Sequence, residues 1–235
     1  QLNDLHPIFM VQIENLSFAY NKAPVLKNIS LSIDKGVILG LAGLNGAGKT
    51  TLLEILAGYL KPNSGTVNVD HLKCAYLETQ PYFYSNITGK EYLNFIVGNN
   101  HSFNVEKWND VFHLPLHELI ENYSSGMKKK LAIMGIIALE RDLILLDEPF
   151  NALDLESVEI LKLILPILKK QGKSIIITSH ILSTLTDTCD SICYLENGSI
   201  KGIYSKQQFP GLAEELLSDT SNRFQTKIDD AFSNN

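Results

Sequence analysis

The chain has 235 residues, of which 45% are hydrophobic and 20% charged, and its formal net charge is −6. This length suffices to bury a sizeable core, and the composition is typical of a globular protein, which excludes the disordered and fibrous classes. The negative charge argues against broad nucleic-acid binding, which relies on clustered Lys and Arg, so we expect no nucleic-acid partner.

The N-terminal segment carries neither the basic flank nor the apolar stretch of a signal peptide. A strand-like pattern begins directly after Met10, so we interpret Met10 as the natural start, residues 1–9 as added or upstream sequence, and residues 10–235 as a single domain. The chain then predicts β segments in VQIENLSFAY and LKNISLSI, followed by the apolar run GVILGLAG. A continuous apolar run is typical of a parallel strand buried on both faces.

The segment GLNGAGKT, residues 43–50, follows this strand and precedes a predicted helix from Lys49 to about Tyr59. It fits the complete G-x-x-x-x-G-K-[ST] pattern in the strand-to-helix context that the pattern requires. Its glycines allow backbone N–H groups to wrap around phosphates, and the helix N-terminus adds a positive dipole. We expect Lys49 to neutralise the β- and γ-phosphates and Thr50 to bind Mg²⁺. The predicted nucleotide contacts are Gly43, Asn45, Gly46, Ala47, Gly48, Lys49, Thr50 and Thr51.

Strand patterns in TVNV and CAYLE follow, and from about residue 81 to 140 the patterns come closer to the helical period. TGKE at 88–91 fits a capping box, in which the side chains of Thr88 and Glu91 bond each other's backbone N–H groups. This stretch predicts a small helical insertion. Within it, Lys128 to Lys130 form a basic cluster, which we interpret as a solvated face or as residues near lipid headgroups, with phosphate sensing as a minor alternative.

A second candidate site begins at LILLDEPFNALD, residues 143–154. Its apolar residues predict a buried strand with Asp147 and Glu148 at the carboxyl end, where ligands bind in open α/β sheets. We expect Asp147 to hold Mg²⁺ and Glu148 to orient or deprotonate the attacking water. Another buried strand, SIIITSH at 174–180, ends at His180, which is a candidate for contact with the γ-phosphate.

A helical pattern separates these two strands, and Pro166 inside it is expected to kink or break the helix. Strands that alternate with helices predict a mostly parallel sheet with helices on both faces. The stretch 205–235 predicts a short helical tail with a loose end.

Nearly the whole chain, from residue 11 to about 204, resembles the ATP-binding cassette (ABC) proteins, because the phosphate loop and the LLDEP carboxylates stand with the family's other markers in the family's order. By this resemblance Tyr20 stacks on adenine, and Gln80 in LETQP contacts the metal and couples the site to the membrane partner. Asp154 matches the loop between subunits, and His180 matches the switch histidine. The resemblance implies an α/β P-loop NTPase fold with a mostly parallel core sheet, an antiparallel β subdomain and a small helical subdomain.

The segment YSSGM, residues 123–127, occupies by the same resemblance the signature loop, usually leucine-serine-glycine-glycine-glutamine, which completes the ATP site of a second subunit. Ser124 is also a good helix N-cap, and together with the backbone of Gly126 and a helix that starts near Met127 it can donate to a γ-phosphate. Ser125 and Met127 stand where glycine and glutamine are usual. Variants with a tyrosine before the serine and GM after it look similar to the export-type branch.

The resemblance implies an ATP-hydrolysing subunit that uses ATP and Mg²⁺ and dimerises with a copy of itself or with a paralogous ATPase. It would drive a transmembrane permease subunit on a separate chain, since no apolar run approaches the roughly 20 residues of a membrane span. The location implied is cytoplasmic, on the inner face of the plasma membrane through that subunit. Two alternatives stay open: a soluble ABC-type assembly factor, for instance for iron–sulfur clusters, and a small-molecule kinase, which would leave Gln80, YSSGM and His180 unexplained.

Overall fold

The computed structural model describes residues 9–98, 102–214, 229, 231 and 232. Within these residues the chain forms two sheets and a set of helices. The strands are β1 (Phe9–Tyr20), β2 (Ala23–Asp34), β3 (Ile38–Ala42), β4 (Ser64–Asn68), β5 (Cys74–Leu77), β6 (Leu143–Leu146), β7 (Ser174–Ser179), β8 (Ser191–Glu196) and β9 (Ser199–Ser205). The helices are α1 (Lys49–Leu56), α2 (Gly89–Val97), α3 (Val105–Phe112), α4 (Ser125–Ala138), α5 (Leu155–Lys170) and α6 (Leu182–Thr188).

The smaller sheet is antiparallel, with strand order β2-β1-β4. A two-residue turn joins β1 to β2, and its residues Asn21 and Lys22 have positive φ angles of 44° and 72°, which match the twist of the flanking strands. Buried apolar residues alternate with exposed residues along β2, as expected for a sheet with one solvated face. The pairing of Phe9 with Asp34 extends β1 one residue before the predicted boundary at Met10.

The larger sheet has strand order β5-β6-β7-β3-β8-β9 and is parallel except for β9. All residues of β3, β6 and β7 are buried, as expected for parallel strands with helices on both faces. These three strands are neighbours, and their carboxyl ends lie at one edge of the sheet. The phosphate loop, the acidic pair and His180 follow them directly, so the topology brings the predicted motifs together.

Helices α2, α3 and α4 lie between β5 and β6 in the chain, where the sequence predicts a helical insertion. The predicted capping box at Thr88 is confirmed: its hydroxyl accepts from the Glu91 N–H at 3.2 Å, and the Glu91 carboxylate accepts from the Thr88 N–H at 2.8 Å. The second half of α4 is buried through residues 131–138. In the part of the chain that the structure describes, no helix is both long enough and apolar enough to cross a membrane.

Helix α5 continues through Pro166, where the sequence predicts a kink or a break. Proline removes the hydrogen bond to the carbonyl of Lys162, four residues earlier. Its neighbours Leu165 and Leu168 are buried in the core, whereas Pro166 is itself exposed. Tertiary packing on either side of the proline therefore outweighs the local preference for ending the helix.

The C-terminal stretch is described only in part. Residues 209–214 are helical, and Phe209 and Leu212 pack into the larger core. Residues 215–228, 230 and 233–235 of the predicted helical tail lie outside the described residues.

Candidate functional site

A cavity of about 460 Å³ opens at the edge of the sheet where β3, β6 and β7 end. Its volume falls within the range of about 300 to 1,000 Å³ that is common for small-molecule sites. Eight of the predicted site residues line it, from the phosphate loop, the acidic pair and the end of β7: Asn45, Gly46, Gly48, Lys49, Thr50, Thr51, Glu148 and His180. Val25, Thr79 and Asn151 complete the lining, and the sequence had not singled them out.

The phosphate loop depends on glycine where it enters helix α1. Gly48 is the N-cap of this helix and has a φ of 104°, a conformation that other residues rarely adopt. A Cβ atom at Gly48 would lie 2.7 Å from Leu26 Cδ2 in β2, so the loop also has no space for a larger residue at this position. Gly48, Lys49, Thr50 and Thr51 at the start of α1 line the cavity, and the N–H groups at a helix N-terminus favour an anionic ligand.

Lys49 is buried within this loop and holds its shape. Its Nζ donates to the carbonyl of Gly43 at 2.7 Å and to that of Leu44 at 3.2 Å. Burial lowers the pKa of the ammonium, while the carboxylates of Glu148 and Asp147 oppose this shift. The loop thus carries a fixed positive charge at the wall of the cavity.

Asp147 is fully buried and collects hydroxyl groups from three segments of the chain. Its Oδ2 accepts from Thr50 at 2.8 Å and from Thr79 at 2.6 Å, and its Oδ1 accepts from Thr178 at 2.6 Å. Carboxylate and hydroxyl oxygens are the ligands that Mg²⁺ prefers, so Asp147 and Thr50 form a donor set that fits this ion.

Glu148 and His180 face each other across the ends of neighbouring strands. His180 Nδ1 lies 2.9 Å from Glu148 Oε2. Glu148 has a φ of 47°, and its N–H donates to Thr178 Oγ1 at 2.8 Å. The backbone and the imidazole together orient this carboxylate towards the cavity, as a group that positions or deprotonates a water molecule requires.

Comparison with known proteins decides the family. Residues 26–151, more than half of the chain, match the family described as ABC transporter. The chain belongs to this family. The matched range contains the phosphate loop and both carboxylates of the site.

Similar ABC proteins cover most of the chain. The bacitracin transport ATP-binding protein BcrA of Enterococcus faecalis is 34% identical over 210 residues, which span 82% of this chain and 68% of BcrA. The SkfA peptide export ATP-binding protein SkfE of Bacillus subtilis (strain 168) is 29% identical over 222 residues, which span 87% of this chain and 93% of SkfE. A solved ATP-binding subunit of an ABC transporter matches with a TM-score of 0.79 and 28% identity, over 86% of this chain and 93% of that one.

The chain is therefore an ABC transporter subunit that binds and hydrolyses ATP. The predicted fold class is confirmed, with a mostly parallel sheet, an antiparallel sheet and helices. The relatives are transporter subunits, so they support the transport interpretation and not the assembly factor or the kinase.

The YSSGM segment of this ABC subunit begins helix α4 at Ser125, two residues before the predicted start at Met127. Ser124 is the N-cap, and its Oγ accepts from the Met127 N–H at 3.2 Å. A Cβ at Gly126 would lie 2.7 Å from the Ala152 carbonyl, so glycine is required there. Ser125, which replaces the usual glycine, is exposed and has room for its side chain, and Met127 packs against the core.

Gln80 is exposed and is not among the described residues that line the cavity, whereas its neighbour Thr79 is. The Thr79 hydroxyl donates to Asp147, while the carbonyls of Glu78 and Thr79 accept hydrogen bonds from Lys129, so the loop is held to both of these residues. That Gln80 contacts metal and nucleotide stays a prediction, and Thr79 is a further residue at the cavity that the sequence had not singled out.

Lys129 also corrects the interpretation of the basic cluster, because its side chain is buried rather than solvated. Lys130, its neighbour, lies 3.4 Å from an Asp154 carboxylate oxygen. Asp154 is the N-cap of α5 and accepts from the Ser157 N–H at 2.8 Å. The segment at Asp154, which the resemblance places between subunits, therefore contacts helix α4 of the same chain.

Tyr20 lies beside the cavity and not within its lining. Its ring is exposed, and its hydroxyl donates to Glu54 Oε2 on α1 at 3.2 Å. Phe18 meets the ring edge-on, with 4.8 Å between the ring centroids. An aromatic face thus remains accessible next to the phosphate loop, at the position predicted for adenine stacking.

Proposed function

We propose that two copies of this domain, or one copy and a paralogous ATPase, close around two ATP molecules and separate after hydrolysis. One observation supports this proposal. The start of helix α4 is exposed, and none of its residues is among the described residues that line the chain's own cavity. The N–H groups there and the Ser124 hydroxyl are suited to a phosphate, and a second subunit would supply one. Each nucleotide would then contact the phosphate loop of one subunit and Ser124 to Met127 of the other.

We infer the following roles for the residues of the cavity. The backbone of the phosphate loop and Lys49 bind the phosphates, and Tyr20 stacks on adenine. Thr50 and Asp147 would hold Mg²⁺, which neutralises charge on the phosphates when it is bound. Glu148 orients or deprotonates the attacking water, with His180 placed to contact both Glu148 and the γ-phosphate.

The transport cycle follows from differential binding. ATP favours the closed dimer because it adds contacts across the interface, and hydrolysis removes the γ-phosphate that makes them. Membrane subunits on a separate chain would follow this closure, and the domain would lie on the cytoplasmic side of the membrane through them. BcrA is a bacitracin transport protein and SkfE is a peptide export protein, and the role of SkfE favours export as the direction for this chain.

The test is ATP-dependent dimerisation of the Glu148→Gln variant, measured by light scattering with and without Ser124→Arg. We expect ATP with Mg²⁺ to double the molar mass of Glu148→Gln and Ser124→Arg to abolish this increase. Ser64→Arg, at an exposed serine on the edge strand β4, serves as the matched control and should leave the dimer intact. A dimer that forms equally well with Ser124→Arg would reject a role for YSSGM across the interface.

A further inference from the structure

Lys129 lies in the middle of a basic run, yet only 2% of its surface is exposed. It is on helix α4, five residues after the N-cap Ser124. Its Nζ donates to the carbonyl of Thr79 at 2.7 Å and to the carbonyl of Glu78 at 3.2 Å. A buried ammonium is retained at an energetic cost, and here its hydrogen bonds within the described part of the chain go to backbone atoms of another segment.

The loop that Lys129 contacts is also attached to the acidic pair. The Asp147 N–H donates to the carbonyl of Leu77 at 2.9 Å, and the Thr79 hydroxyl donates to Asp147 Oδ2 at 2.6 Å. Thr79 is therefore held at both ends, through its carbonyl by Lys129 and through its hydroxyl by Asp147. A displacement of α4 would change the position of Thr79 relative to Asp147.

We propose that Lys129 is a positioning residue, whose ammonium holds the loop of residues 77–80 on helix α4 and thereby keeps the Thr79 hydroxyl at Asp147. Ser124 and Lys129 lie about 7.5 Å apart along the axis of the same rigid helix. The N-terminal end of α4, which would meet the partner's nucleotide, is thus coupled to the side of the chain's own cavity where Asp147 lies. This inference rests on the proposed composite site only for that coupling, because the hold on Thr79 is made within one chain.

The electrostatic surroundings agree with this arrangement. Burial lowers the pKa of Lys129 to about 8, while the carboxylates of Asp147 and Glu148 oppose the shift. The side chain is therefore mainly protonated at neutral pH and has its N–H groups available for both carbonyls.

The kinetic test compares three variants on this helix with the unchanged chain. Lys129→Met keeps the length of the side chain and removes the donors, so we expect kcat to fall about tenfold while the KM for ATP changes less than threefold. Lys129→Arg keeps a charged donor and should remain within about threefold in kcat. Lys128→Met is the matched control and should leave both constants unchanged.

A double-mutant cycle identifies the pathway. If Lys129 acts through Thr79, Lys129→Met combined with Thr79→Val is no slower than the slower single variant. Effects on kcat that multiply, or a kcat for Lys129→Met within twofold of the unchanged chain, would overturn the proposal.

Hydrogen exchange tests the hold without relying on activity. Lys129→Met should accelerate amide exchange in residues 76–84 and leave the antiparallel sheet unchanged, both measured without nucleotide. Unchanged exchange in 76–84 rejects the hold on the loop. Failure of the proposed dimer appears separately, as absence of an ATP-dependent mass increase in Glu148→Gln.

Discussion

His180 Nδ1 lies 2.9 Å from Glu148 Oε2, which joins the ends of two neighbouring core strands at the mouth of the cavity. The two side chains differ in exposure, with 44% for the imidazole and 11% for the carboxylate. The backbone of Glu148 also restrains its carboxylate. The residue lies in the left-handed region, and its backbone N–H donates a hydrogen bond to Thr178 Oγ1. The imidazole is therefore the more accessible of the two side chains to a ligand in the cavity.

Glu148→Gln should lower the rate of ATP hydrolysis about 10²- to 10⁴-fold, because the amide cannot accept a proton from water. Affinity for MgATP should stay within about threefold, since the phosphate loop is unchanged. Phosphate release and titration with a fluorescent nucleotide measure the two effects. Glu156→Gln, at an exposed glutamate in the first turn of α5, is the control with an unchanged rate. Hydrolysis at the normal rate in Glu148→Gln would remove it from the mechanism.

Thr178→Val tests the hydrogen bonds that the Thr178 hydroxyl makes with Asp147 and Glu148. The Thr178 hydroxyl is buried, donates to Asp147 Oδ1 and accepts from the Glu148 N–H, so valine leaves both groups without that partner. We expect the free energy of unfolding to fall by about 1 to 3 kcal/mol in urea denaturation. Thr66→Val, at an exposed position in β4, should change it by less than about 0.5 kcal/mol. Equal stability of the two variants would contradict the structural role of Thr178.

Lys49→Ala should weaken MgATP binding about 10- to 100-fold, because a charged hydrogen-bond donor contributes about 1.5 to 3 kcal/mol. The variant also loses the bonds that hold the Gly43 and Leu44 carbonyls. Calorimetric titration measures the affinity, with the exposed Lys61→Ala as the charge-matched control. Affinity that stays within twofold would show that the phosphates are bound elsewhere.

The sequence was sufficient for the parts of the site that depend on local chemistry. The phosphate loop needs closely spaced glycines after a buried strand, and Asp147 and Glu148 follow an uninterrupted apolar run. Parallel strand order then requires these segments to meet, because the carboxyl ends of neighbouring strands share one edge. Thr178 carried a weaker signal, as a polar residue inside the apolar run SIIITS.

The parts that failed depend on tertiary packing. Lys129 belongs to a run of three lysines that looks solvated, and only the docking of α4 against the loop after β5 buries it. The position of Thr79 at the cavity, which the sequence did not indicate, depends on the same contact, because the loop has no regular period from which side-chain direction could be inferred. Propensity at Pro166 was likewise overridden by burial of its neighbours.

Gly126→Ala should raise the dissociation constant of the ATP-driven dimer at least tenfold in the Glu148→Gln background. Its Cβ would lie 2.7 Å from the Ala152 carbonyl, so the start of α4 must move away from the segment before α5. ATP binding to the monomer should be unchanged, because Gly126 does not line its cavity. Ser64→Ala, at the exposed serine of the edge strand β4, is the control with normal dimerisation in sedimentation experiments. Equal dimer affinity in the two variants would show that the close approach at Gly126 has no role in the dimer.

Lys129 should make stability depend on pH above neutrality. Its folded-state pKa is about 8, below the value of about 10.4 in an unfolded chain. Between these values the unfolded state binds more protons, so this group's contribution to stability rises with pH, whereas below pH 8 the penalty for burying the charge is fully present. The unchanged chain should therefore gain about 2 to 3 kcal/mol relative to Lys129→Met between pH 7.5 and pH 10. Urea denaturation with a chelator measures this gain. The difference in unfolding free energy between Lys128→Met and the unchanged chain should not vary with pH. If the difference for Lys129→Met is equally constant, the ammonium is not buried in solution.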